Sequence, residues 1–161
     1  AGIKVILYKV NAIDPTDVEM LNEYYFETMH HEFAHILHQK KNYPTEYNQI
    51  SAADYSSTGW QNRTEQQAWK LGFVTPYAGM EPQEDFVEVI ANYLVKPDGF
   101  WENMLANAGT EGATKIQTKF DMVKEWLMTA WNIDIDELRT IIIRRSGDID
   151  SILNEKIAYN E

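Results

Sequence analysis

The chain has 161 residues, of which 44% are apolar and 24% are charged, a composition typical of one folded domain and not of a disordered protein. Its 25 acidic and 14 basic residues give a formal net charge of −11, which argues against binding to nucleic acid or to an anionic membrane surface. The chain contains no cysteine, so disulfides and thiolate zinc sites are excluded, and any metal must use histidine and carboxylate ligands.

The first predicted element is a strand over residues 3–10, IKVILYKV, because β-branched and aromatic residues dominate this run. The sequence DPTDVEML then starts a helix that we expect to continue to about Gln39. Residues 41–63 are polar and rich in turn-forming residues, with short helical pieces at most. After them, Thr64 and Gln67 form a predicted capping box at the start of a short helix.

The second half of the chain has the periodicity of helices. A loop, VTPYAGMEPQ, leads to EDFVEVIANYLV, which predicts a helix from Glu84 that Pro97 stops. Beyond this helix, apolar residues recur every three or four positions to the end of the chain, as in helices that bury one face. Together the elements predict an α+β fold that is mainly α, with a small sheet formed by the N-terminal strand.

All four histidines of the chain lie in MHHEFAHILHQ, residues 29–39. On a helix with 100° per residue, His31, His35 and His38 share one side, opposite the apolar residues of the segment, and His30 points away from His31. A side of this kind is often only a polar surface in solvent. We expect His38 near the C-terminal end of the helix, where a protonated histidine is favourable.

The segment HEFAH matches the H-E-x-x-H pattern of zinc peptidases. Two histidines at positions i and i+4 lie about 6 Å apart along the helix axis, so His31 and His35 can bind one Zn²⁺. Glu32 is close enough to take a proton from a water molecule that the metal activates. His38 lies about 10.5 Å along the axis from His31, too far to share the ion with both. The longer metzincin pattern is excluded, because it needs a glycine where His38 stands and a histidine where Lys41 stands.

A catalytic zinc site needs a third protein ligand and an open position for water. Glu84 and Glu88 lie one turn apart on one face of the second predicted helix. One of them can bind zinc, while the other accepts the remaining N–H of a ligand histidine. For Glu84 the alternative is an acidic residue that complements the helix dipole. These residues alone leave open which glutamate is the ligand.

HEFAH followed by YAGMEPQEDFVE resembles the gluzincin peptidases of the anthrax lethal factor kind, in which a tyrosine precedes the ligand glutamate by seven residues. The resemblance implies that Glu84 binds the metal, that Glu88 lies in the outer shell, and that Tyr77 stabilises the oxyanion. It further implies a single zincin-like catalytic domain over residues 1–161. In that domain, residues 1–95 carry the strand and both site helices, and residues 96–161 form a helical C-terminal subdomain.

HHEFAHILHQ and EDFVE are also similar to zinc metallopeptidases that occur as bacterial lipoproteins beside TonB-linked nutrient import systems, a resemblance that covers residues 1–95. This resemblance implies a peptide or protein substrate and contact with outer-membrane import components. It also implies an extracytoplasmic location, either anchored to the outer membrane or periplasmic. The signal and lipid-bearing cysteine of those proteins are absent from this sequence, so we expect a longer gene product.

We therefore expect a zinc-dependent metallopeptidase in which His31, His35 and Glu84 bind Zn²⁺, Glu32 is the general base and Tyr77 assists. The alternative is a weakly active or non-catalytic zinc-binding accessory module of an import complex that recognises peptide or glycan. A further alternative is a zinc hydrolase of non-peptide amides. The complete ligand set together with Glu32 favours the peptidase, since a binding module has no need of the base.

Overall fold

The structure, a computed structural model, describes residues 6, 8, 10–14 and 16–158, and every regular element in these residues is helical. Short 3-10 turns at Val10–Ala12, Gly59–Asn62 and Tyr77–Gly79 and a π-helical segment at Asn22–Phe26 accompany the α-helices. The α-helices are α1 (Val18–Leu21), α2 (Glu27–Lys40), α3 (Tyr47–Ile50), α4 (Glu65–Leu71), α5 (Pro82–Val95), α6 (Phe100–Asn107), α7 (Gly109–Trp131) and α8 (Ile135–Ala158).

The expected α+β fold with a small sheet is wrong for the described part of the chain, which contains no strand. The predicted strand at residues 3–10 lies mostly outside the described residues. Within it, Ile6 and Tyr8 are exposed and belong to no strand, and Val10 begins a 3-10 turn. A β-branched run favours an extended chain, but a sheet requires partner strands. Here helices that pack on one another bury the apolar side chains instead.

The predicted helices are confirmed, with small differences at their bounds. The helix expected to end at about Gln39 ends at Lys40, and a π-helical segment at Asn22–Phe26 separates its first turn from α2. The capping box is present, because Thr64 Oγ1 accepts from the backbone N–H of Gln67 at 3.2 Å and Gln67 Oε1 accepts from that of Thr64 at 2.9 Å.

Helix α5 lies at the centre of the protein. Ten of its 14 residues are buried, and it packs against α2, α7 and α8. It begins at Pro82, two residues before the predicted start at Glu84, and it ends two residues before Pro97, as the sequence predicts. Its apolar residues join one connected core that includes Ala34, Tyr47, Trp69, Phe73, Val74, Phe86, Val87, Val89, Ile90, Leu94, Met104, Ile116, Phe120, Val123, Trp126, Leu127 and Ile135.

A completely buried ion pair joins α5 to α7. The Nζ atom of Lys119 lies 2.6 Å from Oδ2 of Asp85, and both side chains are fully shielded from solvent. The same carboxylate oxygen accepts a hydrogen bond from the Tyr55 hydroxyl at 2.7 Å. Lys119 also donates to the carbonyl of Gly72 at 2.7 Å, the left-handed residue (φ +90°) that ends α4. Burial lowers the pKa of Lys119 and raises that of Asp85, and the pairing opposes both changes.

Helices α7 and α8 are long, with 23 and 24 residues, but both alternate apolar and charged positions. In the part of the chain that the structure describes, no helix combines the length and the hydropathy needed to cross a membrane. The apolar stripes of both helices instead continue the core around α5.

Replacing Lys119 with methionine is expected to lower the free energy of unfolding by about 3–5 kcal/mol, because the substitution keeps most of the volume but leaves Asp85 buried without a counter-ion. The measurement is urea denaturation followed by far-UV circular dichroism. Lys124→Met on the same helix is the matched control. Its pair with Asp136 is 42% and 49% exposed, so its loss should cost less than about 1 kcal/mol. Equal effects of the two variants would contradict the role of the buried pair.

Candidate metal centre

The packing of α2 against α5 brings three potential metal ligands together. Oε2 of Glu84 lies 3.1 Å from Nε2 of His31 and 3.4 Å from Nε2 of His35. One ligand atom from each of these residues lies within 4.8 Å of the other two. The two histidines come from successive turns of α2, and the glutamate comes from the first turn of α5. The structure thus places the three predicted ligands at one point.

Helix α2 buries its histidine side and leaves part of its apolar side in solvent. His31 is 8% exposed and Ala34 is 1% exposed, whereas Phe33 is 52% exposed. The histidine side is therefore not a polar surface in solvent, the alternative that the sequence left open. It can be buried because α5 presents carboxylates that pair with the imidazoles.

Glu88 supports His31 from the side opposite Glu84. Its Oε1 lies 2.7 Å from Nδ1 of His31, and its Oε2 accepts from the Thr75 hydroxyl at 2.5 Å. Asn92, one turn further along α5, donates to the Glu88 backbone carbonyl at 3.1 Å. When Nδ1 of His31 donates its proton to Glu88, the lone pair of Nε2 faces Glu84. This is the arrangement that a metal ligand needs.

The other two histidines have different surroundings. Nε2 of His38 lies 2.9 Å from Nδ1 of His35, and α2 continues beyond it to Lys40. Burial, and then the neighbouring His35, lower the pKa of His38. His38 lies in the last turn of α2, so the expected position near the C-terminal end of the helix is confirmed. His30 faces away from the site and lines a separate cavity of about 570 Å³ with Phe26 and Ile142.

His31, His35 and Glu84 fit a zinc ion for two reasons: they are the right types of ligand, and one oxygen of Glu84 lacks a hydrogen-bond donor. Oε2 of Glu84 is buried and accepts no hydrogen bond, although two imidazole nitrogens lie close to it. When both imidazoles are neutral with their protons on Nδ1, this buried carboxylate oxygen has no donor, which is costly, and a cation at this point would satisfy it. Two histidines and one glutamate are also the ligand set of hydrolytic zinc sites, which keep a fourth position open.

The carboxylates determine the protonation of His31 when no metal is bound. Burial by itself lowers the pKa of this imidazole, but Glu84 and Glu88 outweigh burial and raise it to about 9. The two histidines in turn hold the pKa of Glu84 well below its usual range, against the opposing effect of burial. A proton on His31 therefore takes the place of the positive charge that a metal would supply.

An open cleft of about 260 Å³ borders the site and contains the other two residues predicted to take part. Glu32 and Tyr77 both line it, together with His31 and the start of α2. The ring of Tyr77 lies 6.0 Å from that of His31, centre to centre. Burial, and then the charge of Glu84, raise the pKa of Tyr77 to about 12, so its hydroxyl keeps its proton at neutral pH.

Sequence reasoning missed Thr75, Asn92 and the contact of His38 with His35. Asn92 had a visible signal, because it lies four residues after Glu88 in an otherwise apolar stretch of α5. Thr75 had none, since it lies in a loop whose path only the folded chain defines. His38 was considered only as a metal ligand or as a residue at the end of the helix.

Residues 1–136 match the family described as "Putative zinc-binding metallo-peptidase". The chain is also similar to a crystal structure described as "a putative zinc-binding metallo-peptidase" from Bacteroides caccae, with 52% identity and a TM-score of 0.83. The similarity covers 88% of this chain and 54% of the other, so the chain spans about half the length of that protein. No curated protein matches. These findings confirm the predicted zinc cofactor, since the family is described as zinc-binding and the structure has a His/His/Glu group able to hold a metal.

Glu84→Ala and Glu88→Ala are expected to differ in their effect on zinc binding. Loss of Glu88 should weaken zinc binding about 10–100-fold, the usual effect of removing the partner of a ligand histidine. Loss of Glu84 should weaken it more than about 100-fold, because a ligand itself is removed. The affinity is measured by competition with a chromophoric chelator, with the exposed Glu102→Ala as control. The opposite order would show that Glu88 is the ligand.

The zinc affinity of the unchanged chain is expected to rise about tenfold per pH unit from pH 7 towards pH 9, and then to level off. The reason is that zinc must displace the proton that His31 carries below its raised pKa of about 9. The same competition assay across pH measures this slope. His30→Gln, which changes a histidine outside the site, should keep the slope. An affinity independent of pH over this range would contradict the raised pKa.

Proposed function

We propose that this chain, which belongs to the family described as "Putative zinc-binding metallo-peptidase", hydrolyses peptide bonds with one zinc ion bound by His31, His35 and Glu84. The supporting observation is the convergence of these three groups beside an open cleft that also contains a carboxylate and a phenol. The gluzincin type, with its third ligand a glutamate from a second helix, belongs to the same proposal.

Bound zinc would supply a Lewis acid that polarises the peptide carbonyl and lowers the pKa of water. Glu32 follows His31 directly in the chain and lines the cleft, which suits it to act on a substrate that lies there. We assign Glu32 as general base: its carboxylate takes a proton from the attacking water as the oxygen adds to the carbonyl carbon. It then passes that proton to the amide nitrogen as the C–N bond breaks.

Tyr77 is assigned to the oxyanion that forms when water adds to the carbonyl. Because its pKa is about 12, the hydroxyl remains a hydrogen-bond donor at neutral pH. The rings of Trp60 and Tyr77 pack edge to face with centres 4.9 Å apart, which restricts the directions the phenol can take. A well-aimed donor at this position contributes typically about 3 kcal/mol to the stability of the transition state.

We extend the proposal to where the protein acts. The similarity of HHEFAHILHQ and EDFVE to lipoproteins beside TonB-linked import systems supports an extracytoplasmic site of action, at the outer membrane or in the periplasm. A peptide or protein substrate and outer-membrane import components as partners follow from the same similarity. Detection of the native protein in isolated outer membranes would support this location, and its recovery from the cytoplasm alone would contradict it.

Glu32→Gln is expected to retain zinc and to lower peptide hydrolysis about 10²–10⁴-fold, because the amide keeps the shape of the side chain but cannot accept the proton. The assay incubates the zinc-loaded protein with a mixed peptide library and detects new termini by mass spectrometry. Glu125→Gln, an exposed change on α7, is the matched control and should leave cleavage unchanged.

Two outcomes would contradict this proposal. Full activity of Glu32→Gln would exclude Glu32 as the base. Zinc binding by the unchanged chain without cleavage of any library peptide would instead favour the accessory binding module, and retention of intact peptides on the immobilised protein would then identify its ligands.

A further inference from the structure

We propose that His38 is a positioning residue for the metal ligand His35. In this arrangement Nε2 of His38 accepts a hydrogen bond from Nδ1–H of His35 and keeps the His35 lone pair directed at the point shared with His31 and Glu84. The inference rests on the zinc site of the proposed function, but it does not depend on whether that site cleaves peptides.

The two ligand histidines are arranged in the same way around Glu84. Each directs Nε2 towards Oε2 of Glu84, and each has a partner within hydrogen-bonding distance of Nδ1. For His31 the partner is the Glu88 carboxylate at 2.7 Å, and for His35 it is His38 at 2.9 Å. Because the lone pair of Nε2 is needed for a metal, the proton of each neutral ring must lie on Nδ1. A partner that accepts this proton therefore fixes the tautomer that binds.

The ring of His38 is itself held in place. It packs in a T-shaped geometry against Tyr43, with ring centres 5.6 Å apart, and against Phe86, with centres 6.4 Å apart. Tyr43 and Phe86 are stacked on each other at 4.2 Å with an angle of 12° between their planes, and the Tyr43 hydroxyl donates to Asn48 at 3.0 Å. An imidazole that packs against this fixed pair of rings presents Nε2 in a constant direction, as a positioning residue must.

Spacing along α2 makes this contact possible. Residues three apart on a helix lie on the same face, and the rings of His35 and His38 meet edge to face with centres 5.2 Å apart. Position 38 is too far along the axis to join His31 at one ion, but it is the right distance to contact His35. The distance that excludes His38 as a ligand thus places it where it can support one.

His38→Phe should weaken zinc binding about 10–100-fold, the effect typical of losing the partner of a ligand histidine. The phenyl ring preserves the packing against Tyr43 and Phe86 but accepts no hydrogen bond. His38→Gln places an amide oxygen at about the position of Nε2, so it should restore most of the affinity. His30→Phe, which removes a histidine that lines the separate cavity, should leave the affinity unchanged. Zinc is titrated against a chromophoric chelator for each folded variant.

A second measurement uses the unchanged protein, so that it does not depend on how the variants fold. Histidine ¹⁵N–¹H correlation spectra of the zinc-loaded chain should show His35 protonated at Nδ1, with a correlation from that proton to Nε2 of His38 across the hydrogen bond. In His38→Phe the His35 Nδ1 proton should exchange faster with solvent.

Three results would overturn the proposal: an unchanged zinc affinity in His38→Phe, a loss in His38→Gln as large as in His38→Phe, or a His35 proton on Nε2 in the zinc-loaded chain. The first of these would show that the ring acts only through its packing against Tyr43 and Phe86. Failure of the peptidase proposal looks different, since zinc binding with the expected variant pattern but without cleavage would leave the role of His38 intact.

Discussion

Helix α5 carries three carboxylates into the protein interior, and the arrangement of its neighbours depends on how each carboxylate is paired. An ionised carboxylate that is buried without a partner costs several kcal/mol, so none of the three can be left alone. Asp85 pairs with Lys119 on α7, and Glu88 accepts from His31 on α2. Glu84 faces two imidazoles of α2. The helix is therefore attached on two sides by charged groups as well as by apolar contacts.

These pairings also fix the rotation of α5 about its own axis. Glu84 and Asp85 are adjacent in the chain, so their side chains diverge by about 100°, one towards α2 and the other towards α7. Rotation that improved one contact would break the other. Buried ion pairs are often worth little in net stability compared with apolar replacements. We therefore infer that the main effect of the Asp85–Lys119 pair is to orient α5 so that Glu84 points towards α2.

The sequence predicted the parts of this site that a single helix determines. The spacing within HEFAH is a property of one helix, and the resemblance to gluzincins implied Glu84 as the third ligand. The burial of the histidine side could not be predicted, because Phe33 suggested that the other side of α2 faces the core. Tertiary packing alone brings Lys119 to Asp85 and Thr75 to Glu88, and the periodicity of a sequence does not reveal such contacts. The β-branched run at residues 3–10 misled the fold class, because strand propensity says nothing about whether a partner strand exists.

The interface between α2 and α5 differs from an ordinary helix pair in a way that links folding to metal binding. Helices usually bury apolar side chains against each other, but here two imidazoles and two carboxylates occupy the contact. Without metal, the proton on His31 compensates the carboxylates only below its pKa of about 9. Its contribution to stability is complete below the unfolded pKa near 6.5 and is lost as the pH rises through 9. A cation bound by Glu84 and both histidines stabilises the same contact by mass action at any pH at which the ligands are free. With the ion bound, burying these polar groups therefore lowers the stability of the fold little. The packing of α2 against α5 then depends on whether the site holds a proton or a cation.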